Sequence, residues 1–370
     1  MKTLQTIATG ISYGALVDDN HASLAVLSAI KKMHPCTIGS VLLFLSVGYS
    51  HQPQNAIKAA AKAAGTPQVF GCCAMGLLTD EDWLLDVEGA VAMVFPREFS
   101  LHSLKVATNN QQKHQWALTL SSPDAAQAAI NSSDISQIGA LASDEYGHGP
   151  FSIWQSGQIV AQEFTQTVLS NESEHIIDKA ESIRRISPLM QINKTDSNKL
   201  LEINQQAAID NIQAHLPTNL SALGLDQPYN LIAAISETKE RESIEKGHYN
   251  LLHVVSSNKN DHHVALSGTA NSGHYMFWAL RDEQRAQEVM RVKLISAKNK
   301  FKGDAKFALM FPNISRGAEF YNGRDKDFEI FKEVFPNLPM IGFYGHGEIA
   351  PGHTTAGSIN HYSTVFGLFS

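Results

Sequence analysis

Two stretches of this chain, 271 positions apart, run through the same order of residue types, and that shared order restricts the fold more than any other feature. In the first, residues 40–47 (SVLLFLSV) form an apolar run of strand length, as in a strand covered on both faces. Pro53 can open a helix that Gly65 ends, and residues 68–72 give a second short strand leading into the turn GCCAMG, Gly71 to Gly76. In the second, residues 306–311 (KFALMF) predict a strand, 325–335 a helix closed by Pro336, and 339–344 (PMIGFY) a strand leading into GFYGHGEIAPG. Setting Gly71 against Gly342 also sets Phe70 against Ile341 and Gly76 against Gly347. Each stretch then reaches a closing apolar strand, within 88–95 and 359–369. A strand, a short helix and a strand imply a βαβ unit. The expectation is an α+β fold of two related halves, each a mixed β-sheet with βαβ elements and helices outside. The equivalent glycine turns would face a ligand cleft between the halves.

The remaining chain fits around these units. Asn20 is placed to cap a helix carrying Leu24, Leu27 and Ile30 at helical spacing. Residues 97–137 are polar and predict a surface helix near 124–130. Residues 201–216 and 282–294 are helical in pattern, and 249–256 predict a strand. A domain junction is expected near residue 200, giving domains 1–200 and 201–370.

Composition narrows the function classes. The 29 basic and 36 acidic residues leave a net charge of −7 with no long basic block, which argues against nucleic acid or an anionic membrane surface as partner. The longest apolar stretch, 38–48, is far below the roughly 20 residues of a membrane helix. Three cysteines, two of them adjacent, cannot build a disulfide framework, and no signal peptide is evident, so a cytoplasmic protein without membrane insertion is expected.

The candidate site residues cluster at the two turns. Glycines 342, 345 and 347 allow close backbone approach, and Glu348 would sit among backbone N–H groups, to orient a ligand amine, to serve in acid–base chemistry or to hold the turn. Cys72 or Cys73 would be a thiolate or a buried apolar residue, with burial the ordinary state of a free cysteine. Arg316 and Arg324, flanking GAEFYNG, suit either an anion or a solvated loop. Of 16 histidines, His346, His353 and His361 fall close together in sequence, and adjacent His262 and His263 suit opposite faces of a strand. H-E-x-x-H, G-x-S-x-G and Walker patterns are absent, and His346-Gly-Glu348 is not followed by P-C-x-x-C.

The run FALMFPNISRGAEFYNGRDKDFEIFKEVFPNLPMIGFYGHGEIAPG, with HYSTVFGLF after it, resembles the FIST C module through its Arg-Gly and its G-E-I turn. The run VLLFLSVGYSHQPQNAIKAAAKAAGTPQVFGCCAMG resembles the FIST N module, and the resemblance extends over residues 22–369. Where family members often carry Cys-x-Gly before the Arg-Gly, this chain has Asn313-Ile314-Ser315. The resemblance implies a sensory, non-enzymatic protein that binds a small molecule and acts through a separate partner. GHYMFWALRDEQRAQEVM and the FYGxGEIAP turn are similar to the stand-alone bacterial FIST haemoproteins that sense nitric oxide and regulate a histidine kinase. That likeness implies haem as cofactor, with His346, His253 and His274 as candidate ligands. Ligand contacts are expected from Cys72, Cys73, Gly76, Arg316, Tyr344, Gly347 and Glu348. An amino acid, its amine on Glu348 and its carboxylate on an arginine, is an alternative ligand. A thiol- or carboxylate-dependent hydrolase and a pure interaction scaffold are the alternatives from other classes.

Overall fold

The computed structural model describes residues 4–105, 115–171, 174–217, 230–245, 247–258, 262–352 and 356–370. The chain forms two compact units, Met1–Glu181 joined with Gln287–Ser370, and Ser182–Ala286. The division into compact units therefore falls after residues 181 and 286. Strand His175–Glu181 pairs along its length with the C-terminal strand Ser363–Phe369, so the last strand before residue 182 and the last strand of the chain share a sheet, and 182–286 is the separate piece.

The larger unit holds three six-stranded sheets built to one plan. At the centre of each lies a parallel pair joined by a helix. The pairs are Ile38–Ser46 with Val69–Ala74 through helix Gln54–Ala64, Trp116–Ser121 with Ser136–Leu141 through Ala126–Ile130, and Phe307–Pro312 with Met340–Tyr344 through Lys326–Val334. After the second strand the chain leaves its own sheet and forms a hairpin on the edge of another. It then returns antiparallel to its first strand, as Glu88–Pro96, Phe164–Leu169 and Ser363–Phe369. The exchange is cyclic. Hairpin Gly76–Thr79/Trp83–Leu85 joins Met340–Tyr344, Ile153–Gln155/Gln158–Ile159 joins Val69–Ala74, and Glu348–Ala350/Ser358–Asn360 joins Ser136–Leu141.

The glycine that aligned the two sequence stretches marks all three copies. Gly71 faces Leu43, Gly139 faces Thr119 and Gly342 faces Met310 across the parallel pairs. A Cβ on these glycines would lie 1.7, 1.8 and 1.6 Å from the partner's carbonyl oxygen, so each place demands glycine. The duplication expected from sequence is a triplication, its middle copy lying in the stretch 97–137 and beyond that had read as polar surface. Trp116–Ser121 is buried throughout.

One apolar core is shared by the inner faces of the three sheets, from Phe44, Phe70 and Met93 through Leu118 and Ile138 to Phe311, Ile341 and Phe343. The Phe44 ring meets Phe343 edge-on at 4.9 Å. Helices cover the outer faces. Asn20–Ile30 buries Ala22, Ala25, Val26 and Ala29, while Leu24 and Leu27 are exposed. The leucine spacing thus named the wrong face. A Cβ at Gly10 would lie 2.0 Å from the Ala25 carbonyl oxygen, so the helix rests too close to the sheet for large side chains.

The smaller unit is a closed ring of six strands, in the order Met190–Asp196, Lys199–Ile203, His263–Leu266, Asn250–Asn258, Leu231–Ser236 and Tyr275–Arg281, the last pairing back to the first. Helix Ala208–His215 packs on its core, so the predicted helix 201–216 is a strand end followed by a shorter helix. Among the described residues no helix is long and apolar enough to cross a membrane.

Candidate functional site

The points where the chain crosses between sheets meet one another. Gly76 pairs with Tyr344, so the GCCAMG and GFYGHGE turns lie side by side as the sequence implied. The third crossing, after Gly139, joins them through Ser143. Its hydroxyl donates to the Tyr344 carbonyl at 2.5 Å and accepts from the Met75 N–H at 3.0 Å. The spacing Gly139 to Asp144 equals Gly71 to Gly76 and Gly342 to Gly347, the one signal that could have revealed this third turn. The turns are packed against one another. Cys72, Cys73, Gly76, Arg316, Tyr344, Gly347 and Glu348 are all buried, and none of them lines either of the two clefts described below.

Burial sets the chemistry of these residues. It raises the Cys72 thiol well above its ordinary value and pushes Cys73 up to about 12, so both stay protonated at neutral pH. Among the described residues no histidine bonds to either sulfur, and the nucleophile–base pair of a thiol hydrolase is not formed. Glu348 accepts from Asn313 Nδ2 at 2.7 Å, from Ser363 Oγ at 2.6 Å and from the Ser363 N–H at 3.2 Å. Burial pushes its carboxyl up to about 8, and these hydrogen bonds and the charge of Arg316 offset only part of the shift.

Arg316 is not a solvated loop residue or an open anion site. It is fully buried, with Nε 2.7 Å and Nη2 3.1 Å from the two Asp327 oxygens and Nη1 2.6 Å from the Ala180 carbonyl. Burial alone would lower the guanidinium, but Asp327 outweighs it and holds it above its ordinary value. Asp327 also accepts from Tyr321 and Thr364. Asp325 caps helix Lys326–Val334 through the Phe328 N–H and accepts from Tyr344 Oη. Burial, with the neighbouring Asp327 charge, pushes Asp325 up to about 7. Neither aspartate was singled out by the sequence, because a cap reads the same whether buried or solvated. Arg324 is solvent-facing and pairs with Glu329 at 2.6 Å.

The histidines separate. His346 lies at the crossing turns, its Nε2 3.0 Å from Asp144 Oδ1. Asp144 also accepts from the N–H groups of Gly147, His148 and Gly149. Burial alone would raise its carboxyl, but the contact with His346 and these donors lower it overall. His253 and His274 belong to the smaller unit, and burial lowers His253. His353 lies outside the described residues.

Two clefts open elsewhere in the larger unit. One, about 420 Å³, lies beside Lys298, Phe335 and Lys306. The other, about 790 Å³, lies on the outer face of the second sheet, between Ser103, Ser133, Gln155, Val160, Phe164 and Gln166. The helix over this sheet, Ala126–Ile130, has five residues, against eleven and nine in its counterparts. Gln166 Nε2 donates to the Ala129 carbonyl and to Ser133 Oγ, both at 3.1 Å. Gln137 Nε2 reaches the same Ser133 oxygen at 3.4 Å, and its backbone N–H donates to the Ala356 carbonyl at 3.0 Å. Ala356 leads into strand Ser358–Asn360, the partner of Glu348–Ala350. The cleft wall is thus hydrogen-bonded to the hairpin that carries Glu348.

Residues 40–206 match the family model of the FIST N domain, and residues 198–351 match that of the FIST C domain. No curated protein matches the chain.

Proposed function

The chain belongs to the FIST family, and on that premise we propose that it is a sensor that binds a small organic molecule in the second-sheet cleft and signals through a separate protein. FIST domains are associated with small-ligand-binding sensory signalling. The observation that carries the reading is the cleft itself. Its volume of about 790 Å³ lies within the roughly 300–1,000 Å³ of small-molecule sites. The bonds from Gln166 through Ser133 and Gln137 to Ala356 give a bound molecule a physical route to the Glu348 hairpin. A ligand that binds one arrangement of that hairpin more tightly shifts the population toward it.

The finer reading, a haem-based nitric-oxide sensor acting on a histidine kinase, requires a histidine that opens onto a porphyrin-sized cavity. Among the described residues neither of these two clefts has a histidine in its lining, and His346 already faces Asp144. These two clefts thus offer haem no axial histidine, and the second-sheet cleft suits a smaller organic ligand better. An amino acid held by Glu348 and Arg316 meets the same obstacle, since both are buried and engaged.

The test is a thermal-shift screen of the purified protein against small metabolites, followed by amide exchange of the hits. Expected are hits that slow exchange in the paired strands Glu348–Ala350 and Ser358–Asn360. A screen with no hit, or hits that leave that hairpin unchanged, overturns the proposal. A Soret band on adding haem, lost in His346→Ala, His253→Ala or His274→Ala, would replace it with the haem reading.

A further inference from the structure

The second-sheet cleft has a specific polar character. Gln166 is 9% exposed. Its Nε2 gives both hydrogens, one to the Ala129 carbonyl, which can only accept, and this fixes the orientation of the amide. Gln166 lines the cleft, and its carbonyl oxygen takes no hydrogen bond from any described residue. Ser103, 7% exposed, also lines the cleft, and its hydroxyl makes no hydrogen bond to a described residue. Among the described residues the charged groups of the lining are one lysine, Lys105, and one acid, Asp134, which balance in charge. Val160 and Phe164 supply apolar wall.

Resting on the sensor reading above, we infer that this cleft takes an uncharged organic molecule that donates a hydrogen bond, from an amide or hydroxyl, to Gln166 Oε1, with its apolar body against Phe164 and Val160. Gln166 is then the residue that sets specificity. A buried acceptor aimed at a site rejects ligands that cannot supply its donor, because binding them leaves it desolvated and unpaired. A carboxylate brings a second acceptor to that oxygen. An ammonium loses hydration that the neutral lining does not replace.

Three probes of one shape separate these cases: benzamide, benzoate and benzylamine, titrated into the full-length protein by ligand-observed and amide NMR. Benzamide should bind with shifts confined to the cleft, and the two charged probes at least tenfold more weakly. Gln166→Met, which keeps the side-chain length and removes the acceptor, should weaken benzamide about five- to tenfold, the loss of one neutral hydrogen bond. Ser103→Ala serves as a second variant if Gln166→Met melts early, and should weaken benzamide while leaving the melting temperature unchanged. Absence of benzamide binding, equal or tighter binding of a charged probe, or an unchanged benzamide affinity in a folded Gln166→Met variant overturns the inference. Any of these with positive metabolite hits sinks only the cleft chemistry. A metabolite screen without hits sinks the sensor reading by itself.

Discussion

Gly342 lies so close to Met310 across the parallel pair that a Cβ there would meet the Met310 carbonyl oxygen at 1.6 Å. Backbone cannot yield as a side-chain tip can. Gly342→Ala should therefore lose about 3 kcal/mol or more by chemical denaturation, and Gly71→Ala and Gly139→Ala should behave alike. Gly303, with open space around its Cβ position, should tolerate alanine within about 0.5 kcal/mol. Equal tolerance at all four positions would contradict the threefold plan.

Arg316 and Asp327 form a fully buried bidentate pair. Arg316→Leu leaves the Asp327 charge uncompensated and should lower stability by about 3–5 kcal/mol. The double variant Arg316→Met/Asp327→Leu should recover part of that loss. A double variant less stable than either single one would show that the pair's hydrogen bonds, and not its charge balance, dominate.

Glu348 should make stability fall as pH rises. Its carboxyl moves from an ordinary 4.5 to about 8 in the folded chain, so between those values the folded state holds a proton that the unfolded state has released. Stability is full below the lower value and is lost as pH climbs through the upper one. Asp325, pushed up to about 7, acts in the same sense. Melting temperatures measured from pH 5 to 8.5 should decline, and Glu348→Gln should decline less steeply. Parallel curves for the two proteins would contradict the assignment.

Asp144 ties down its own loop through three backbone N–H groups and touches His346. Asp144→Ala should speed amide exchange at Gly147, His148 and Gly149 by about tenfold or more, with little change in global melting, because charge-assisted hydrogen bonds of this kind are each worth about 1.5–3 kcal/mol. Unchanged exchange at these three amides would count against it.

The first and third βαβ units were legible because each carries a continuous apolar strand, a helix with a clean end, and a glycine turn. Lys326–Val334 and Gln54–Ala64 appear within a residue or two of where the pattern put them. The second unit escaped because its helix is five residues long and its second strand opens with Ser136 and Gln137, which read as surface. Gln137 is buried and hydrogen-bonded to Thr119 and Ile130. A polar residue satisfied by distant partners gives no local sign of burial.

By itself the sequence determined the family, the α+β class and the two glycine turns that meet at Gly76 and Tyr344, since these rest on local periodicity and on short motifs. Only the tertiary structure decided that each hairpin joins a neighbouring sheet, that both ends of the chain share one core, and that Cys72, Arg316 and Glu348 are enclosed. Strand partners are chosen by non-local hydrogen bonding and by apolar surface buried between segments far apart in the chain. Neither leaves a mark in the spacing of neighbouring residues.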